Sequence, residues 1–105
     1  MSFQHIKIAD AKTMLDNPEL RIADIRDAMS FEANHIKGAV NVNNDNLPEF
    51  MENTPKDVPL IVCCYHGNSS QGAAQFFAAQ GYTEVYSLDG GFEMWKLGVP
   101  ELCVR

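Results

Sequence analysis

Apolar and polar positions fall in blocks along this chain, and the blocks alternate between strand-like and helix-like spacing. The clearest block is residues 58–63, Val-Pro-Leu-Ile-Val-Cys, which is apolar throughout. Such a run predicts a strand covered on both faces. Residues 3–8 predict a short first strand, and residues 9–16 a helix with Ala11, Met14 and Leu15 on one face, ended by Asn17-Pro18. Residues 20–25, apolar apart from Arg21 and Asp24, predict a second strand. Asp27 is placed to cap a short helix reaching Asn34, and residues 35–38 read as a turn-like link. Residues 39–42 predict a third strand. Residues 43–46 offer caps for a helix over 47–52, with Pro48 in its first turn. A turn at 53–57 leads into the strand at 58–63. A loop opening at Cys64 then runs into a helix-like stretch over 71–80, closed by Gly81. Residues 84–88 predict a fifth strand. Beyond Asp89-Gly90-Gly91, residues 92–97 predict a last short helix, ended by Gly98 and Pro100.

Strands and helices in this alternation predict one α/β domain over residues 1–105, a five-stranded, mostly parallel sheet with helices on both faces. Sites in such sheets lie at the carboxyl ends of the strands. Two segments fall there: the loop at Cys64, and Asp24-Ile25-Arg26-Asp27. A length of 105 residues and a hydrophobic fraction of 46% suit one ordinary core. The formal charge of −6, with no basic stripe, argues against nucleic acid as a partner. It also leaves any anionic substrate to local dipoles rather than to the field of the whole molecule. No run approaches a membrane span, and the first residues lack the basic and apolar regions of a signal peptide. The expectation is a soluble cytoplasmic protein with no membrane partner.

Three cysteines, Cys63, Cys64 and Cys103, fit a disulfide scaffold poorly, and Cys63 and Cys64 would point to opposite faces of a strand. Their spacing resembles no zinc site, and His5, His35 and His66 do not complete one. Reduced thiols and no metal are therefore expected. Of the three, Cys64 has the context of a reactive group. It sits where a buried strand empties into a helix N-terminus, so backbone N–H groups and the helix dipole converge on it. The competing reading is a cysteine packed as a small apolar side chain, which fits Cys63, one residue earlier, better. Cys103 has no such context. Tyr65 reads as a pocket wall, whereas the imidazole of His66 could be an electrostatic partner of the thiolate or idle. Gly67 allows positive φ or close approach. Ser69 and Ser70 could donate hydroxyls to the sulfur or cap the helix. Arg26 could contact an anion or pair with Asp24 or Asp27, and Trp95 reads as core or pocket wall.

Three segments resemble the signatures of the rhodanese, or sulfurtransferase, family. The first is Asp24-Ile25-Arg26-Asp27 with His35-Ile36-Lys37-Gly38-Ala39-Val40-Asn41. The second is Cys64-Tyr65-His66-Gly67-Asn68-Ser69-Ser70, and the third is Asp89-Gly90-Gly91-Phe92-Glu93-Met94-Trp95. Together they span nearly the whole chain. Asn34 stands where the family usually has glycine. The resemblance implies a rhodanese-like domain with Cys64 as catalytic nucleophile and Tyr65, His66, Gly67, Asn68, Ser69 and Ser70 cradling substrate and persulfide. Asp24, Arg26 and Trp95 would support that loop from behind. It implies ping-pong sulfur transfer without a cofactor: thiosulfate as donor, a persulfide on Cys64, and cyanide or a thiol or dithiol protein of thioredoxin-like type as acceptor. Two alternatives stay open. One is a catalytically silent rhodanese module used for binding or regulation. The other is a related phosphatase or arsenate reductase, which would carry arginine where this chain has Ser70 and would lose its strongest phosphate contacts without it.

Overall fold

The computed structural model describes residues 2–105. Its elements run β1 (Gln4–Ile6), α1 (Ile8–Met14), β2 (Arg21–Asp24), α2 (Ala28–Ala33), β3 (His35–Ile36), β4 (Val40–Asn41), α3 (Leu47–Asn53), β5 (Leu60–Cys63), α4 (Ser69–Ala79), β6 (Val85–Leu88), α5 (Gly91–Gly98), a 3-10 turn (Pro100–Leu102) and β7 (Cys103–Val104). Five strands form one sheet in the order β1-β6-β5-β2-β4, parallel at every pairing. β5 lies at its centre, and all four of its residues are buried. Alternation along β5 explains why the run is apolar throughout. Ile61 and Cys63 face one core, with Ile22, Leu88, Phe92 and Trp95. Leu60 and Val62 face the other, with Phe50, Ala74, Phe77 and Val85. Helices α1 and α5 cover the first face, and α3 and α4 the second.

Most boundaries move inward by a residue or two from those read in the sequence, as helix and strand ends commonly do. α4 instead starts earlier than expected, at Ser69 rather than residue 71, with Asn68 at its N-cap. Its buried positions Ser70, Ala74, Phe77 and Ala78 recur at helical spacing, and the small side chains at 74 and 78 let the helix lie close on the sheet. The helix closes in a Schellman pattern: the Tyr82 amide donates to Phe77 O at 3.2 Å and the Gly81 amide to Ala78 O at 3.1 Å. Asp27 caps α2 as its position suggested, its carboxylate accepting from the Ser30 amide at 3.1 Å.

One expectation fails. Residues 35–38 are not only a link: His35–Ile36 form β3 and pair antiparallel with β7, as a separate two-stranded sheet. Asn34 ends α2 at φ −172°, an extended conformation open to any residue, so the departure from glycine there carries no strain. Among the described residues no helix is long and apolar enough to cross a membrane.

Candidate active site

β5 ends at Cys63, with β2 on one side and β6 on the other. Cys64 is the first residue past that central strand, at the carboxyl edge of the sheet. Its residue is 4% exposed, so the sulfur sits within the loop rather than on it. The Gly67 amide donates to Sγ at 3.1 Å and the Ser70 amide at 3.3 Å. Burial pushes the thiol up. The Ser70 hydroxyl and the amides of Ser70, Gly67 and His66 outweigh it and hold Cys64 below the ordinary thiol value. Cys63, one residue back, has burial without those donors, and its thiol is pushed far up. Adjacent thiols are thus pushed in opposite directions because one lies inside the sheet and the other inside a ring of amides.

Two helix N-termini build that ring. α4 delivers the Ser70 amide to the sulfur. α5 spends its first amides on loop carbonyls: Phe92 N donates to Cys64 O at 2.8 Å and Glu93 N to Tyr65 O at 3.0 Å. Gln71 Nε2 holds Gly67 O at 2.9 Å. With these carbonyls tied, the loop amides are left for the sulfur. The close approach of α5 needs Gly91, since a Cβ there would stand 2.5 Å from Tyr65 C and O. Gly67 has φ +92° and packs on Gly90 N, where a Cβ would come to 2.9 Å.

The remaining candidate residues divide by what they touch. The Tyr65 phenol hydrogen-bonds the Asp27 carboxylate and lies 2.7 Å from Ser30 Oγ, which ties the loop to the start of α2. That phenol, with the Ser30 amide and hydroxyl, holds the Asp27 carboxyl at about 2, below the ordinary carboxylate value. The His66 side chain is exposed, with its ring 6.5 Å from that of Tyr65, and only its amide acts on the sulfur. Asn68 and Ser69 are exposed at the start of α4.

Asp24 and Arg26 form a buried ion pair behind the loop. Arg26 Nη2 donates to Asp24 Oδ2 at 2.8 Å and to Asn34 O at 2.7 Å, and Nε lies 3.1 Å from both carboxylate oxygens. The guanidinium sits 4.1 Å from the Phe92 ring centroid and 5.7 Å from that of Tyr65. Burial works against its charge, but the hydrogen bonds and charge of Asp24 more than restore it, and its pKa lies above the ordinary value. Trp95 lies in the core with Cys63 and Phe92, and its buried indole Nε1 meets no hydrogen-bond partner among the described residues.

Sequence reasoning passed over three contributors. Ser87 on β6 is buried with its hydroxyl 2.8 Å from Ser70 Oγ, and one hydroxyl in an apolar strand gives no periodic signal. Ser30 and the ring of Phe92 were equally silent. They meet the loop only through the fold.

The geometry has counterparts in known proteins. The family model for the rhodanese-like domain matches residues 7–97. The thiosulfate sulfurtransferase GlpE of Tolumonas auensis is 49% identical over 94 residues, 90% of this chain and 89% of that protein. A protein of the same name from Pseudoalteromonas translucida is 46% identical over 100% of both chains. The crystal structure of a rhodanese-related protein from Thermoplasma volcanium superposes with a TM-score of 0.80 at 25% identity, covering 97% of this chain and 98% of that one. A match across the sheet, the Cys64 loop and the start of α5, joined to near-half identity along the chain, means that this protein belongs to the rhodanese-like domain family.

Proposed function

We propose that this chain is a thiosulfate sulfurtransferase working through a persulfide on Cys64. The observation that carries the reading is the Cys64 sulfur held 3.1 Å from Gly67 N and 3.3 Å from Ser70 N, in a loop with no lysine or arginine. Such a ring suits a sulfur anion, which needs several donors and no proton. The names borne by relatives at 46–49% identity point the same way.

The Cys64 thiolate attacks the outer sulfur of thiosulfate. A new S–S bond forms to Cys64, the S–S bond of thiosulfate breaks, and sulfite leaves with the electron pair. The product is a Cys64 persulfide anion, its charge shared by the loop amides and the Ser70 hydroxyl. A second nucleophile then attacks the outer persulfide sulfur and restores the Cys64 thiolate. Cyanide leaves as thiocyanate, and a thiol or dithiol protein of thioredoxin-like type leaves as its own persulfide. No proton has to be moved at the sulfur in either half, which fits a site without a general base beside Cys64. The three free thiols suit a reducing, cytoplasmic setting.

Thiocyanate formation from thiosulfate and cyanide tests the reading. Cys64→Ser should fold and show no turnover, and a wild-type rate in that variant would sink the assignment.

A further inference from the structure

β6 carries one buried hydroxyl between apolar residues. Ser87 is fully buried, beside Leu88 and two residues from Val85. By strand alternation it shares the Val85 face, against which α4 packs. A buried hydroxyl costs free energy unless it is paired. Its partner is Ser70 Oγ, 2.8 Å away, and Ser70 is itself fully buried in the first turn of α4.

Each hydroxyl has one proton to give. Ser70 already stands at the sulfur, its amide 3.3 Å from Cys64 Sγ. If Ser87 donates to Ser70, the Ser70 proton is free to turn to that sulfur, the direction in which the Ser70 hydroxyl lowers the thiol. If Ser70 donates to Ser87, the sulfur loses a donor. Hydrogen bonds to an anion are about twice as strong as neutral ones. The arrangement that points Ser70 at the sulfur is therefore favoured whenever the sulfur is charged.

We propose that Ser87 is a positioning residue for sulfur transfer: its hydroxyl donates to Ser70 Oγ and keeps the Ser70 proton aimed at the sulfur on Cys64. The proposal rests on Cys64 being the reactive group, as argued above. Ser87 touches neither the sulfur nor substrate and acts through Ser70 alone. It aids the thiolate that opens the cycle and the same thiolate when the second transfer restores it, because in both the charge lies on Cys64 Sγ.

The test is the pH dependence of Cys64 alkylation by iodoacetamide, read by peptide mass spectrometry, in wild type, Ser87→Ala, Ser70→Ala and the double variant. The nearby titratable groups, Cys63, Tyr65 and His66, are common to all four and cancel. Ser87→Ala should raise the Cys64 pKa by about half a unit to one unit, a roughly three- to tenfold loss of thiolate below the pKa. Ser70→Ala should raise it at least as far, and adding Ser87→Ala should then change nothing. Ser87→Thr, which keeps the hydroxyl, should retain the wild-type value. If Ser87→Ala fails to fold, Ser87→Cys, similar in size and a weak donor, carries the same expectation. An unchanged pKa in Ser87→Ala, or a shift that adds in full to that of Ser70→Ala, overturns the relay. The alkylation readout needs no turnover. An inactive wild-type enzyme would sink the functional reading and leave the relay to be judged on its own result.

Discussion

Gly91→Ala perturbs the loop without changing a loop residue, and its cost follows from the structure. Gly91 has φ +61°, and a Cβ there would stand 2.5 Å from Tyr65 C and O and 2.6 Å from Cys64 O. These are backbone atoms, so none can swing aside as a side chain would. Relief requires α5 to draw back, which lengthens the bonds from Phe92 N to Cys64 O and from Glu93 N to Tyr65 O. A left-handed conformation costs alanine about 1–2 kcal/mol. Two hydrogen bonds add about 1 kcal/mol each. The stiffer unfolded chain returns about 0.4–1 kcal/mol. The net loss is about 2–4 kcal/mol. Gly38→Ala is the matched control, with φ +87° and nothing within 4 Å of the added Cβ. It should lose about 0–1.5 kcal/mol, the conformational part alone. Urea unfolding measures both, provided the slopes agree. Gly91→Ala should also lower kcat/KM for thiosulfate, because the carbonyls that orient the loop lose their anchors, while Gly38→Ala keeps the wild-type value. Equal stability losses in the two variants would refute the claim that α5 braces the loop by direct backbone contact.

Three further outcomes are expected. Asp24→Ala strands the Arg26 guanidinium in a site where its side chain is 3% exposed, and denaturant unfolding should show a loss of about 3–5 kcal/mol; a loss below about 1 kcal/mol would contradict a buried, mutually dependent pair. Asp27 titrates at about 2 when folded, against 3.8 ordinarily, so its contribution to stability is complete above the ordinary value and fades as pH falls through about 2. Carboxyl NMR should find that low midpoint in wild type and a move upward in Tyr65→Phe, and an ordinary midpoint in wild type would break the link between loop and α2. Hydrolysis of p-nitrophenyl phosphate should stay at background, since the loop lacks a cation and Arg26 is committed to Asp24 and Asn34; turnover that Cys64→Ser abolishes would count against the sulfur-transfer reading.

How far the sequence was legible depended on the range of the forces involved. The strand at 58–63 could be read because burial on both faces leaves an unbroken apolar run, and β5 is that strand. The loop after it could be read because strand, glycine and helix follow one another locally. β3 and β7 could not, because two-residue strands have no periodicity and His35 meets Val104 from the far end of the chain. The start of α4 was not legible because Gly67-Asn68-Ser69 has the composition of a loop, and Asn68 stands at the N-cap without a side-chain cap hydrogen bond. Arg26 was legible as an ion-pair candidate but not as the contact of Phe92, which depends on where α5 lands. Ser87 was invisible for the same reason: its partner, Ser70, lies on another element.

The most direct test of the central claim is the mass of the protein after exposure to thiosulfate. Intact protein and its peptides should show a gain of one sulfur atom on Cys64, removed by cyanide or dithiothreitol. No adduct, or an adduct on Cys103 in place of Cys64, would contradict a persulfide held by the Gly67 and Ser70 amides.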